Sequence, residues 1–132
     1  MSAAKEVKQD RKYTKDHEWA LDQNGELVIG ITAFAVDQLG DITLVNLDVK
    51  AGDVVEAHKP FGTIESVKTL SDLYAPVSGK IVRVNPELEE HPELVNEHPY
   101  GDGWLVAIDP ADPVEVDALL DAAAYQEHIS SS

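Results

Sequence analysis

Phe61-Gly62-Thr63-Ile64-Glu65-Ser66-Val67-Lys68-Thr69-Leu70-Ser71-Asp72-Leu73-Tyr74-Ala75-Pro76-Val77-Ser78-Gly79 is the stretch on which the reading of this chain turns. Thr63, Ile64 and Val67 before the lysine, and Thr69, Leu73 and Tyr74 after it, are residues that favour pleated, half-buried backbone. The spacing predicts two strands joined by a tight reversal and ended by the Ala75–Gly79 punctuation. At the tip the backbone would be fixed and the side chains open to solvent. Lys68 would then hold its ε-amine out on a flexible four-carbon stem. A solvated turn lysine is the ordinary outcome at such a place, so the rest of the chain must say whether this one has a task.

Outward from that hairpin the pattern stays mostly β. His17–Leu21 and Glu26–Ile31 flank Gln23-Asn24-Gly25, and Asn-Gly is a strong hairpin signal. Thr32 can cap a short helix over 33–39 that Gly40 stops. Ile42–Leu47, Val54–Glu56, Gly79–Val84 and Gly103–Ile108 read as further strands. The acidic stretch 86–96 has room for one or two helical turns. From Asp112 or Pro113 a single helix is predicted through about Glu127, with Val116, Leu119, Leu120 and Ala123 on one face. Gly40-Asp41-Ile42-Thr43-Leu44-Val45 is weakly echoed by Gly79-Lys80-Ile81-Val82-Arg83-Val84, which suggests one compact two-fold unit. The expected organisation is a loose segment over 1–12, a single domain over 13–128 and a tail over 129–132.

At 132 residues the chain is of single-domain size and can bury a real core. Its formal charge of −15 is unevenly spread. Residues 1–15 carry five bases against Glu6 and Asp10, whereas the rest of the chain holds five bases and 23 acids. Such a body repels nucleic acid and anionic membrane and is steered toward basic docking faces. There is no cysteine, so neither a disulfide nor a protein thiol nucleophile is available. No apolar run is long enough for a membrane span, and the N-terminus has no apolar leader core, so the expected location is the cytoplasm. Five histidines show no metal-binding spacing, and Glu87, Glu89, Glu90 and Glu93 lack the EF-hand pattern. No phosphate-binding glycine loop or serine nucleophile elbow occurs.

The string Glu65–Gly79 resembles the modification loop of lipoyl carrier proteins, and most closely that of the glycine cleavage system H-protein family. Three more blocks agree in order and approximate spacing: Tyr13-Thr14-Lys15-Asp16-His17-Glu18-Trp19; Gly30-Ile31-Thr32 with Ala35 and Leu39-Gly40-Asp41; and Pro99-Tyr100-Gly101-Asp102-Gly103-Trp104. The resemblance runs from about Tyr13 to Tyr125. One departure is Asp48-Val49-Lys50, where the family usually has a proline after the Leu47 strand; it touches a loop and leaves the Lys68 region as the family has it.

The resemblance implies a mainly β barrel-sandwich hybrid of the biotinyl/lipoyl type, two small antiparallel sheets with short helices and a C-terminal helix. It implies a non-enzymatic carrier bearing lipoate covalently on Lys68. That carrier would take an aminomethyl unit from the pyridoxal-phosphate enzyme glycine decarboxylase to the tetrahydrofolate enzyme aminomethyltransferase, and then be reoxidised by dihydrolipoyl dehydrogenase. A lipoate ligase or a lipoyl/octanoyl transferase would load it. Glu18 and Asp72 match family residues whose carboxylates hold the amine-bearing arm in a surface cleft, as suits a cation met by paired carboxylates. His17 would help shape that cleft or pack against Trp19; Asp16 lies where the family varies and is given no role.

Glu65 and Asp72 near Lys68 stabilise a cation, so nothing local prepares the amine as a nucleophile; activation falls to the loading enzyme. Two other functions fit the same fold, a relay passing lipoate to 2-oxoacid dehydrogenase subunits and an unmodified interaction module. A biotinyl carrier fits less well, since methionines usually flank its lysine and the only methionine here is Met1.

Overall fold

The computed structural model describes residues 7–130. It is built on two antiparallel sheets of unequal size. The larger has six strands in the order β1-β2-β3-β9-β8-β5, and the smaller has three in the order β4-β6-β7. In chain order the elements are β1 (Lys12–Tyr13), β2 (Glu18–Gln23), β3 (Glu26–Ile31), α1 (Ala33–Leu39), β4 (Ile42–Leu47), β5 (Val54–Val55), β6 (Pro60–Ser66), β7 (Leu70–Tyr74), β8 (Gly79–Val84), α2 (Glu93–Glu97), β9 (Val106–Pro110), α3 (Pro113–Asp117) and α4 (Ala122–Ser130). The two copies of the internal echo fall in different sheets, β4 in the small one and β8 in the large one.

Local chemistry accounts for most of the joints. Asn24 and Gly25 both adopt left-handed backbone, with φ of 55° and 91°, which gives the two-residue turn the right twist for β2 and β3. Thr32 caps α1 by accepting the Ala35 N–H at 3.2 Å, and Gly40 ends the helix at φ 80°. Apolar side chains alternate inward from both sheets and meet in one core. Ile29, Ile31, Phe61, Ile64, Leu73, Ile81, Leu105 and Ile108 lie there, each nearly inaccessible to water.

A second, aromatic cluster covers the outer face of the large sheet. Tyr13 and Tyr125 stack there at 4.6 Å, joined by Trp19, Val28, Ala107 and Ile129. It explains a departure from the expected single C-terminal helix. Leu120 leaves helical backbone to exchange two hydrogen bonds with Tyr13, at 2.7 and 2.8 Å, so the helix breaks into α3 and α4. Asp121 then restarts it, its carboxylate accepting the Ala124 N–H at 2.8 Å.

The folded unit also reaches past both expected boundaries. Lys12 pairs with Ala20, and Ile129 is buried within α4. The parts of the proposed end segments at 1–6 and 131–132 lie outside the described residues.

Candidate functional site

Lys68 sits at the tip of the β6–β7 hairpin. Glu65 pairs with Leu70, and the Ser66 N–H donates to the Thr69 carbonyl at 2.8 Å, leaving only Val67 and Lys68 as the loop. Neither residue is left-handed, so the turn is held another way. The Ser66 hydroxyl accepts the N–H groups of both Lys68 and Thr69 at 3.2 Å. A third tie comes from outside the hairpin, where the Val67 N–H donates to the Asp41 carbonyl at 3.0 Å. The lysine stem runs across Gly40: a methyl added there would lie 3.3 Å from Lys68 Cε. Lys68 is exposed, and among the described residues no carboxylate pairs with its ammonium group. Backbone rigidity and a reachable amine therefore coincide at this residue.

Beside the hairpin a cleft of about 140 Å³ opens between α1, β7 and the start of β2. Its floor is apolar, from Ile31, Ala35, Leu39, Ile64 and Leu73, and Asp16, His17, Glu18 and Asp72 supply polar groups. Leu39 immediately precedes the glycine under the lysine stem, so the cleft and the amine share the end of α1. The three cleft residues expected from the sequence are thus brought together, but each stands differently.

Glu18 is only 2 % exposed. Its Oε1 accepts the Thr14 hydroxyl at 2.8 Å, and its Oε2 accepts the Tyr74 N–H at 3.2 Å. The Thr14 oxygen in turn accepts the N–H groups of Asp16 and Glu18. Glu18 therefore fastens β2 of one sheet to β7 of the other. Burial pushes its carboxyl up to about 8 despite those two donors, and Asp16 adds to the rise. It is a neutral acid at neutral pH when nothing cationic stands beside it.

Asp72 is exposed and accepts the Tyr74 hydroxyl at 3.5 Å. Its charge is the main reason the Tyr74 phenol holds its proton beyond the usual range.

His17 sits in left-handed backbone at φ 70° and turns its ring toward Tyr125, Phe34 and His128. Nδ1 lies 2.8 Å from the Tyr125 hydroxyl, which also meets Thr32 Oγ1 at 2.8 Å. The ring packs on Phe34, whereas the Trp19 indole donates to the carbonyls of Ile31 and Pro99. Burial first, and His128 second, lower the imidazole pKa.

Asp16, which the sequence left without a role, is also on the cleft wall. Thr14, Tyr74 and Tyr125, which orient the cleft residues, were not singled out by the sequence. Tyr74 reaches Glu18 from the other sheet and Tyr125 reaches His17 from α4, contacts that no local pattern carries; only Thr14 lies close in the chain to the residue it holds. Among the described residues no cluster suited to a metal ion occurs, and no helix is long and apolar enough to cross a membrane.

Comparison with known proteins agrees with this geometry. Residues 11–132 match the family described as Glycine cleavage H-protein. The chain is 50% identical over 126 residues to a glycine cleavage system H protein of Thermus thermophilus, covering 96% of this chain and 98% of that one. It is 51% identical over 119 residues to one from Halalkalibacterium halodurans, covering 90% and 92%. The crystal structure of a glycine cleavage system H protein from Mycobacterium marinum superposes with a TM-score of 0.86 at 39% identity, covering 94% of this chain and 99% of that one. With the match spanning both sheets, the cleft and the lysine hairpin, the chain belongs to the glycine cleavage H-protein family.

Proposed function

We propose that this protein is the lipoyl-bearing carrier of a glycine cleavage system, with lipoate in amide linkage to Lys68. The observation that carries the reading is the exposed amine of Lys68, without an ion pair among the described residues, on a turn pinned by Ser66 and Asp41. When bound, the lipoyl group would supply a disulfide that opens as it takes up a one-carbon amine unit, and, once that unit has left, a dithiol to be reoxidised. Presenting that arm and sheltering it fall to the protein's own residues.

The chain fits that group in two ways. Lys68 offers a primary amine to an activated acyl carbonyl. Its nitrogen forms the amide, the activating group departs with its bonding pair, and the proton goes to solvent. The cleft beside it combines an apolar floor suited to a hydrocarbon arm with acids suited to an amine. Asp72 offers an exposed carboxylate at the mouth. Glu18 offers a buried carboxyl that a neighbouring cation would drive toward its ionised form. His17, held by Tyr125, forms the wall between them and α4.

The carrier would serve glycine decarboxylase, aminomethyltransferase and dihydrolipoyl dehydrogenase in turn, in the cytoplasm, after loading by a lipoate ligase or a lipoyl/octanoyl transferase. Tethering keeps the arm at high effective concentration for whichever enzyme is docked. Catalysis resides in those partners. The test is glycine decarboxylation reconstituted with those enzymes and either wild-type protein or Lys68→Arg. Turnover with wild type and none with the folded variant is expected; turnover with Lys68→Arg would end the proposal.

A further inference from the structure

Asn96, at the fourth position of α2, reaches into the connection between α1 and β4 with both ends of its amide. Nδ2 donates to the Gly40 carbonyl at 2.9 Å, and Oδ1 accepts the Ile42 N–H at 2.8 Å. The three-residue bridge Gly40-Asp41-Ile42 is thereby clamped on both sides of Asp41. That bridge is also what the lysine turn rests on. The Asp41 carbonyl receives the Val67 N–H, and Gly40 lies under the aliphatic stem of Lys68.

We infer that Asn96 is a positioning residue for Lys68, acting through the Gly40–Ile42 bridge to present the amine in the one geometry that a loading enzyme docks. The inference rests on Lys68 being the modified residue. Gly40 cannot supply this order itself, because its left-handed backbone and missing side chain make it the freest point in the bridge. Only a bidentate amide of this length satisfies a carbonyl and an N–H two residues apart at once. With that bridge loosened, the Val67–Asp41 bond would no longer orient the two tip residues beyond the β4–β6 ladder, and the tip would populate several orientations. An enzyme that binds one of them would see its apparent affinity reduced by that fraction, with the chemical step unaltered.

The chain contains its own control. Asn85 makes the same kind of clamp elsewhere, its Nδ2 donating to the carbonyls of Asp102 and Trp104 and its Oδ1 accepting the Glu87 N–H. None of those partners hydrogen-bonds to the lysine turn, although Gly103 between them packs on α2. Removing either asparagine should cost comparable stability, so Asn85→Ala reports what a structural loss alone does.

The experiment uses the full unmodified chain in wild-type, Asn96→Ala, Asn96→Asp and Asn85→Ala forms. Amide hydrogen exchange is read at Val67. Acylation by a lipoate–protein ligase with ATP and octanoate is followed by intact mass. Asn96→Ala should speed Val67 exchange and raise KM for the chain about tenfold with kcat little changed. Asn96→Asp keeps the acceptor for Ile42 but loses the donor to Gly40, and should fold and fall between. Asn85→Ala should leave both readouts at wild-type values even where its stability drops. If Val67 exchange and KM in the Asn96 variants match those of Asn85→Ala, the positioning role is refuted. If the wild-type chain is not acylated at Lys68, the carrier reading itself fails, while Val67 exchange still decides whether Asn96 orders the turn.

Discussion

Replacing Glu18 by glutamine should make the protein more stable at alkaline pH and slightly less stable at acid pH. The carboxyl is 2 % exposed and titrates near 8 in the folded state, against an ordinary value of 4.5. In the unfolded chain it ionises near that ordinary value. Between the two the unfolded state has released a proton that the folded state still holds, so stability falls as pH rises. The full effect of Glu18 is present below about pH 4.5 and is lost by about pH 8. Each unit of separation is worth about 1.4 kcal/mol, and the whole window amounts to about 5 kcal/mol.

Glutamine cannot ionise, so this slope disappears with it. It keeps the volume and one acceptor for the Tyr74 N–H, at a cost of about 1 kcal/mol for the altered contact with Thr14. The assay is urea unfolding followed by tryptophan fluorescence across the window, with wild type and Glu18→Gln compared at each pH. Taking the difference cancels the titration of the chain's other acids. The variant should be the weaker protein near pH 4, draw level a little above pH 5, and lead by about 3–4 kcal/mol as pH approaches 8. A difference that stays constant across that range would refute the reasoning, because Glu18 would then ionise alike in both states.

Three other expectations are simpler to check. Asp72→Asn should change stability by no more than about 0.5 kcal/mol, since the side chain is exposed, yet shorten the lifetime of an amine carried on the loaded protein. An unchanged lifetime would remove Asp72 from the cleft's task. In an NMR titration His17 should take up its proton below the ordinary histidine value of 6.5, because burial and His128 both oppose the charge; a midpoint at or above that value would contradict the packing described. Gly30→Ala should cost about 1–3 kcal/mol in urea unfolding, since the added methyl would run into the Trp19 ring. A neutral substitution would mean that the ring is free to move aside.

What the sequence made legible was whatever depends on neighbours along the chain. The lysine hairpin follows from β-formers on either side of a polar tip, the β2–β3 turn from Asn24-Gly25, and the ends of α1 from Thr32 and Gly40. Contacts between distant segments were not legible. The break between α3 and α4 arises because Leu120 finds a better backbone partner in Tyr13, more than a hundred residues away, than in its own helix. The apolar periodicity over 116–123 gives no sign of that exchange.

The site shows the same division. Glu18 could be picked out by its place beside His17 and Trp19, but nothing along the chain signals that a carboxyl expected to hold a cation in a surface cleft is only 2 % exposed. Its donors are Thr14, in the loop between β1 and β2, and the Tyr74 backbone of the small sheet. His17 was assigned to the cleft, while its true anchor, Tyr125, lies at the other end of the chain. Asn96 carries no motif of its own, and its relation to Lys68 emerges only once α2 is seen against the α1–β4 bridge.

The central claim is tested most directly by peptide-level mass spectrometry of the protein purified from its own cells. The account predicts the mass of one lipoyl group on the peptide containing Lys68 and on no other lysine. An unmodified Lys68, or the lipoyl mass on a different residue, would contradict it.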